Sequence, residues 1–165
     1  MAKSSPVLLL TAVLALIALA GCSKPAEGYA LISRQRAEAD GRKYSFDLTL
    51  DEATYCYATT LAARVNTARL SQPELTLQLN VTSPSGVTAI ERIAFPLADN
   101  GDQVRSRRNE GGVRDYCWPW RENIRVAGPD LGNWHVIVTM PDSTQWQAVE
   151  GIGLNFQGKP WEKEN

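Results

Sequence analysis

Histidine is almost missing from this chain, with His135 the sole copy in 165 residues. Cysteine is nearly as rare, at three residues, and no two of them stand in a Cys-x-x-Cys spacing. Together these scarcities argue against a zinc or other imidazole–thiolate metal site. His135 lies in a strand-like stretch beside Trp134, which suits a structural or solvent-facing role better than a catalytic base. No glycine-rich phosphate loop is present, and no serine or cysteine sits in nucleophile-elbow spacing. Carboxylates are scattered, and Asp51 and Glu52 are adjacent, so an extended chain points them to opposite faces. The reading is of a protein that is not an enzyme and carries no cofactor. Net charge is also small, at −1, which gives no bias toward nucleic acid. Arg105, Arg107, Arg108 and Arg114 are interleaved with Asp102, Glu110 and Asp115 and read as a solvated loop.

A long apolar run is absent too. The longest stretch, Val7 to Leu19, is broken only by Thr11. It spans roughly 20 Å as a helix, against about 30 Å of bilayer hydrocarbon, and so is too short to cross. A short polar leader with Lys3 precedes it, and Leu19-Ala20-Gly21-Cys22 follows. That order is the pattern of a secretory signal ending in a bacterial lipobox. Residues 1–21 are therefore expected to be cleaved and Cys22 to be acylated, with palmitate-type chains anchoring the protein to a membrane. Two or three chains hold stably where one does not, each buried methylene contributing about 0.8 kcal/mol. Ser23 rather than Asp follows the cysteine, which favours the outer membrane of the cell envelope.

Once lipid takes Cys22, Cys56 and Cys117 remain. An oxidising envelope permits a disulfide between them. The loop it closes has about 60 residues and would remove roughly 4 kcal/mol of unfolded-state entropy. Two thiols buried as small apolar residues are the alternative.

The mature chain is punctuated into short segments. Residues 22–42 hold Pro25, Gly28, Gly41 and mixed charges, and read as a lipidated tether in which Tyr29 to Ile32 either pairs or stays loose. From Tyr44 onward apolar residues recur every second position: Tyr44, Phe46, Leu48, Leu50; then Tyr55 to Val65; then Leu75, Leu77, Leu79, Val81. Period two is the signature of half-buried strands. Ser83-Pro84-Ser85-Gly86 is a hairpin turn, and Val87 to Leu97 resumes the strand pattern. Ala98 to Arg114 reads as a long irregular stretch. Ile124 and Val126, Trp134 to Met140, and residues 148–157 complete the series. This predicts an all-β, antiparallel β-sandwich, jelly-roll or immunoglobulin-like, of about 7–8 strands over residues 43–158, with 159–165 a polar tail.

The run Asp115-Tyr-Cys-Trp-Pro-Trp120 has the most unusual composition in the chain. Tyr116, Trp118 and Trp120 fall on one strand face. They are either core or a platform for a protein or sugar ligand. Trp161, after Pro160, is a further contact candidate.

The order of lipobox, tether and sheet domain, with Leu75 to Gly86, Gly132 to Met140 and Val149 to Phe156, resembles the gliding-motility lipoprotein GldH family. The likeness covers most of the mature chain. It implies an outer-membrane lipoprotein of the Bacteroidota, a non-enzymatic component linked to gliding or its associated secretion machinery. The partners it implies are other envelope proteins, besides the membrane itself. It supplies no catalytic residues. Cys56, Cys117 and the Trp-Pro-Trp run have no place in that family pattern. A glycan-binding or glycan-processing lipoprotein using Tyr116, Trp118 and Trp120 is the competing reading.

Overall fold

Residues 27–98, 103–141 and 144–161 are described by the computed structural model. The signal segment, Cys22 and the last four residues lie outside them.

Among the described residues, nine antiparallel strands form two sheets with the core between. One sheet has five strands in the order β1 (Glu27–Ser33), β9 (Val149–Pro160), β3 (Tyr55–Asn66), β7 (Val113–Ile124), β6 (Arg105–Arg108). The other has four, in the order β2 (Lys43–Leu50), β8 (Gly132–Thr139), β4 (Glu74–Thr82), β5 (Thr88–Pro96). The all-β sandwich expected from the period-two pattern is what the chain adopts.

The alternation has a direct consequence in each strand. Tyr44, Phe46, Leu48 and Leu50 of β2 are buried, while Asp47 and Thr49 face solvent. Leu75, Leu77 and Leu79 of β4 are fully buried and meet Phe95 of β5 and Val136 and Val138 of β8 in the core. From the other sheet come Tyr57, Leu61, Ala63, Val65, Tyr116, Ile152 and Leu154. The β4–β5 turn closes as the Pro-Ser-Gly signal requires. Gly86 takes φ +85° and donates its N–H to the Ser83 carbonyl at 2.9 Å.

Three expectations are corrected. The stretch read as a tether over 22–42 enters the sheet at Glu27, because β1 pairs along its whole length with β9. Gly28 makes this approach feasible: the ring of Phe156 occupies the space a side chain there would need. The irregular stretch 98–114 contains β6, so Arg105, Arg107 and Arg108 belong to an edge strand rather than a loop. With these two additions, and with Ile124 closing β7 rather than marking a strand of its own with Val126, the described residues hold nine strands where 7–8 were expected.

The third correction is the disulfide. Cys117 stands opposite Ala62, six residues along β3 from Cys56. Six residues of strand span about 20 Å, whereas a bridge needs Cα atoms within about 7 Å. Both cysteines are free thiols, as the register demands.

Candidate functional site

The interior is not uniformly closed. β6 covers only the Arg114–Cys117 part of β7, so that among the described residues the Trp118–Ile124 half pairs with β3 alone. Above this half lies β5, the edge of the opposite sheet. Between the two edges an apolar cleft enters the sandwich, with a volume of about 180 Å³. Its walls are Leu48 and Leu50 of β2, Val81 of β4, Ala89 of β5, Trp134 and Val136 of β8, and Trp120 and Ile124 of β7.

The register of β7 builds the mouth. Thr60 faces Pro119, Thr59 faces Arg121 and Tyr57 faces Ile124, so β7 carries extra residues twice within six positions. Bulges of this kind re-aim side chains. Here they turn both Trp120 and the next residue, Arg121, toward the cleft. Asn123 sits at φ 56°, a left-handed conformation that asparagine tolerates better than most residues. Pro119 has no N–H to give a ladder, which fits a strand segment lacking a second neighbour.

A carboxylate closes the rim. Glu91 of β5 takes the inward register position between Ala89 and Ile93, opposite Leu79 of β4. Its Oε2 accepts from Arg121 Nη2 at 2.7 Å and from Trp120 Nε1 at 3.3 Å. The Arg121 guanidinium also lies 5.5 Å from the centre of the Trp120 ring. Trp134, across the cleft, donates its Nε1–H to the Asp130 carbonyl at 2.9 Å. The two indoles are thus fixed at their polar ends and present apolar faces to the opening. Chemically, such a slot takes one apolar group. An apolar cavity of roughly 150 Å³ is enough for benzene.

The aromatic run divides at this cleft. Tyr116 is core. Trp118 is half-buried and meets Phe95 edge-on, with ring centres 6.0 Å apart. Only Trp120 lines the opening. Trp161 lies elsewhere, at the end of β9, 40% exposed and covered on one face by Arg125 at 4.0 Å. His135 lies on the outer face of the four-stranded sheet, its Nδ1 2.8 Å from Asp47 on the neighbouring strand.

Cys117 lines a shallower depression on the outer face of the five-stranded sheet, with Leu31, Ala62 and Arg105. Beside it Arg64 grips Asp115 with two hydrogen bonds, at 2.7 and 2.9 Å. The Arg64 bond holds the Asp115 carboxyl below the usual carboxylate range, against the opposing effect of burial. Burial, helped by the Asp115 charge, pushes the Cys117 thiol up, so it is a poor nucleophile at neutral pH. Among the described residues no group of three His, Cys, Asp or Glu side chains is arranged to hold a metal ion. No described helix is long and apolar enough to cross a membrane.

Glu91 and Arg121 were not among the residues the sequence singled out. A signal for Glu91 was present, since the alternation Ala89, Glu91, Ile93, Phe95 puts a carboxylate in an apolar register. No comparable signal exists for Arg121, because the bulges that turn it inward leave no mark on the pattern.

No protein-family model and no curated protein matches this chain. Among solved structures it is similar to dimeric latent PorU from Porphyromonas gingivalis, at 10% identity and a TM-score of 0.36, over 83% of this chain and 13% of that one. The chain thus spans about an eighth of that protein's length, and a likeness this distant assigns no family.

Proposed function

We propose that this protein is an envelope lipoprotein, anchored through Cys22, whose β-sandwich is a non-enzymatic binding module for another envelope protein. The observation that carries the binding role is the tryptophan-lined cleft between β5 and β7. It has room for a single apolar side chain, flanked by two strand edges whose backbone groups can pair with an extended peptide. Glu91 Oε2 is already engaged by both Arg121 and Trp120, which ties that oxygen to the rim. Gliding motility and its secretion machinery are the systems in which to seek the partner.

The glycan reading rests on Trp120 beside Glu91. It is the weaker one, because the walls offer a sugar's hydroxyl groups almost no partners, and buried hydroxyls left unbonded cost about 1–3 kcal/mol each.

Crosslinked recovery of the lipidated chain from its own envelope tests the proposal. Enrichment of discrete envelope proteins, lost in Cys22→Ala and in the cleft-filling variant Ala89→Phe, is the expected result. Recovery of polysaccharide in place of protein would move the assignment to glycan recognition.

A further inference from the structure

The place where β1 begins decides which end of the sandwich an anchor at Cys22 would hold at a membrane. β1 begins at Glu27, paired with Gln157 near the end of β9. Gln157 in turn faces Ala58 near the start of β3. The same end holds the β2–β3 loop at 51–54, the β4–β5 hairpin at 83–87, the β7–β8 connection at 125–131, and Trp161. Only five Cα steps separate Cys22 from Glu27, a reach of at most about 18 Å. An acylated Cys22 in the bilayer surface therefore holds this end close to the lipid.

The distribution of exposed apolar side chains coincides with that end. Three large hydrophobic residues are strongly exposed among the described residues: Val87 at 67%, Ile90 at 68% and Trp161 at 40%. Val87 belongs to the hairpin turn, Ile90 is the third residue of β5, and Trp161 follows β9. All three fall at the end where the chain emerges from Cys22. The opposite end contains Trp146, in the turn before β9 and half-buried, with the Arg34 guanidinium 5.6 Å from its ring centre.

We propose that the end of the sandwich carrying Val87, Ile90 and Trp161 rests on the bilayer surface, with the Trp161 indole in the headgroup region. This rests on the lipoprotein assignment above, and it deepens that assignment by giving the domain an orientation. Tryptophan favours the interface because its ring is apolar and its N–H polar. Arg125 stacks on Trp161 and Lys159 lies nearby, but Asp51, Glu52, Glu122 and Asp130 lie at the same end. The charges offset one another, so contact depends on the apolar side chains and little on lipid charge. The cleft at Trp120 and Trp134 then opens sideways, close to the membrane, where a partner's juxtamembrane segment can reach it.

The test uses the full lipidated chain, purified in detergent and reconstituted into phosphatidylethanolamine–phosphatidylglycerol vesicles with brominated acyl chains. Intact mass first establishes whether Cys22 is acylated. Bromine quenching of tryptophan fluorescence is then compared for the native chain, Trp161→Phe and Trp146→Phe. The expected result is that Trp161→Phe removes about half or more of the quenching, that Trp146→Phe removes none, and that lowering the phosphatidylglycerol content changes little. Quenching carried by Trp146, or none from an acylated and vesicle-bound chain, overturns the orientation and leaves the lipoprotein assignment standing. A probe at position 161 that crosslinks to protein rather than lipid in native envelopes overturns it as well. A Cys22 without acyl chains overturns both.

Discussion

The two halves of β7 differ although they are one strand. The Val113–Cys117 half pairs with β3 on one side and, over Arg114–Cys117, with β6 on the other, and its inward Tyr116 is buried in the core. The Trp118–Ile124 half has, among the described residues, one neighbour, two bulges, and a cleft where the core should close. The first half is held by a ladder on each side and by its inward core face. In the second, a carboxylate, a guanidinium and two indoles do what a further strand would otherwise do. Where a sandwich gives up a ladder, it exposes both backbone edges and apolar wall, the features with which an added strand pairs.

The contrast is broken most forcefully by truncation. Phe95→Ala in the closed core is expected to cost about 3–5 kcal/mol in urea unfolding, for lost transfer energy plus a cavity. Trp120→Ala in the open half is expected to cost clearly less, because its ring faces space that is already empty. Equal costs would mean that the cleft is packed in solution.

Enlargement should have opposite signs in the two halves. Ala63, fully buried, has no room to grow, and Ala63→Leu is expected to destabilise by about 1–3 kcal/mol. Ala89→Leu points its added methylenes into the cleft and is expected to be neutral or to stabilise by up to about 1 kcal/mol. Thermal unfolding of both variants checks the pair.

Titration sharpens the comparison further. Tyr44, in the closed half, donates its hydroxyl to the Gly41 carbonyl at 2.9 Å. Burial pushes its phenol up to about 12, against some lowering by Arg34. A raised folded value means the neutral form is favoured on folding. Its contribution is complete below pH 10 and is lost as pH rises from about 10 to 12. Tyr44→Phe should lose about 1 kcal/mol at neutral pH and flatten the alkaline limb of the stability curve.

Asp115 works in the other direction and more weakly. Its lowered value, caused first by the Arg64 hydrogen bond, gives stability that is present at neutral pH and lost as pH falls through the acid range. The pair is partly solvated, so Asp115→Asn should cost under about 1 kcal/mol and remove that acid dependence. At the small end, thiol titration of the unfolded mature chain without reductant should find Cys56 and Cys117 both free, with no effect of reductant on melting.

Much of the four-stranded sheet was legible because each residue's fate follows from its own neighbours. Leu75 to Val81 alternates cleanly, and the strand lies where the alternation puts it. The five-stranded sheet was read less well. Arg105 to Arg108 shows no alternation, since an edge strand covered by nothing has no apolar face to display. Gly151 weakens β9 as a strand signal. Yet a side chain there would come within 2.9 Å of the Ile32 carbonyl, so the glycine is what lets β1 approach. The disulfide failed for a related reason. Cysteine count and compartment say which thiols are available, but only strand register says which can meet. At the site, the aromatic run was visible and its division was not, because that depends on the short length of β6 and the bulges in β7.

The most direct test of the open flank is a photocrosslinker placed at Ala89, inside the cleft, and at Ala58, on the outer face of the five-stranded sheet, in the full chain in living cells. The account predicts a discrete protein adduct from position 89 and none of that mass from position 58. No protein adduct at 89, or the same adduct from both positions, would contradict the cleft as the binding surface.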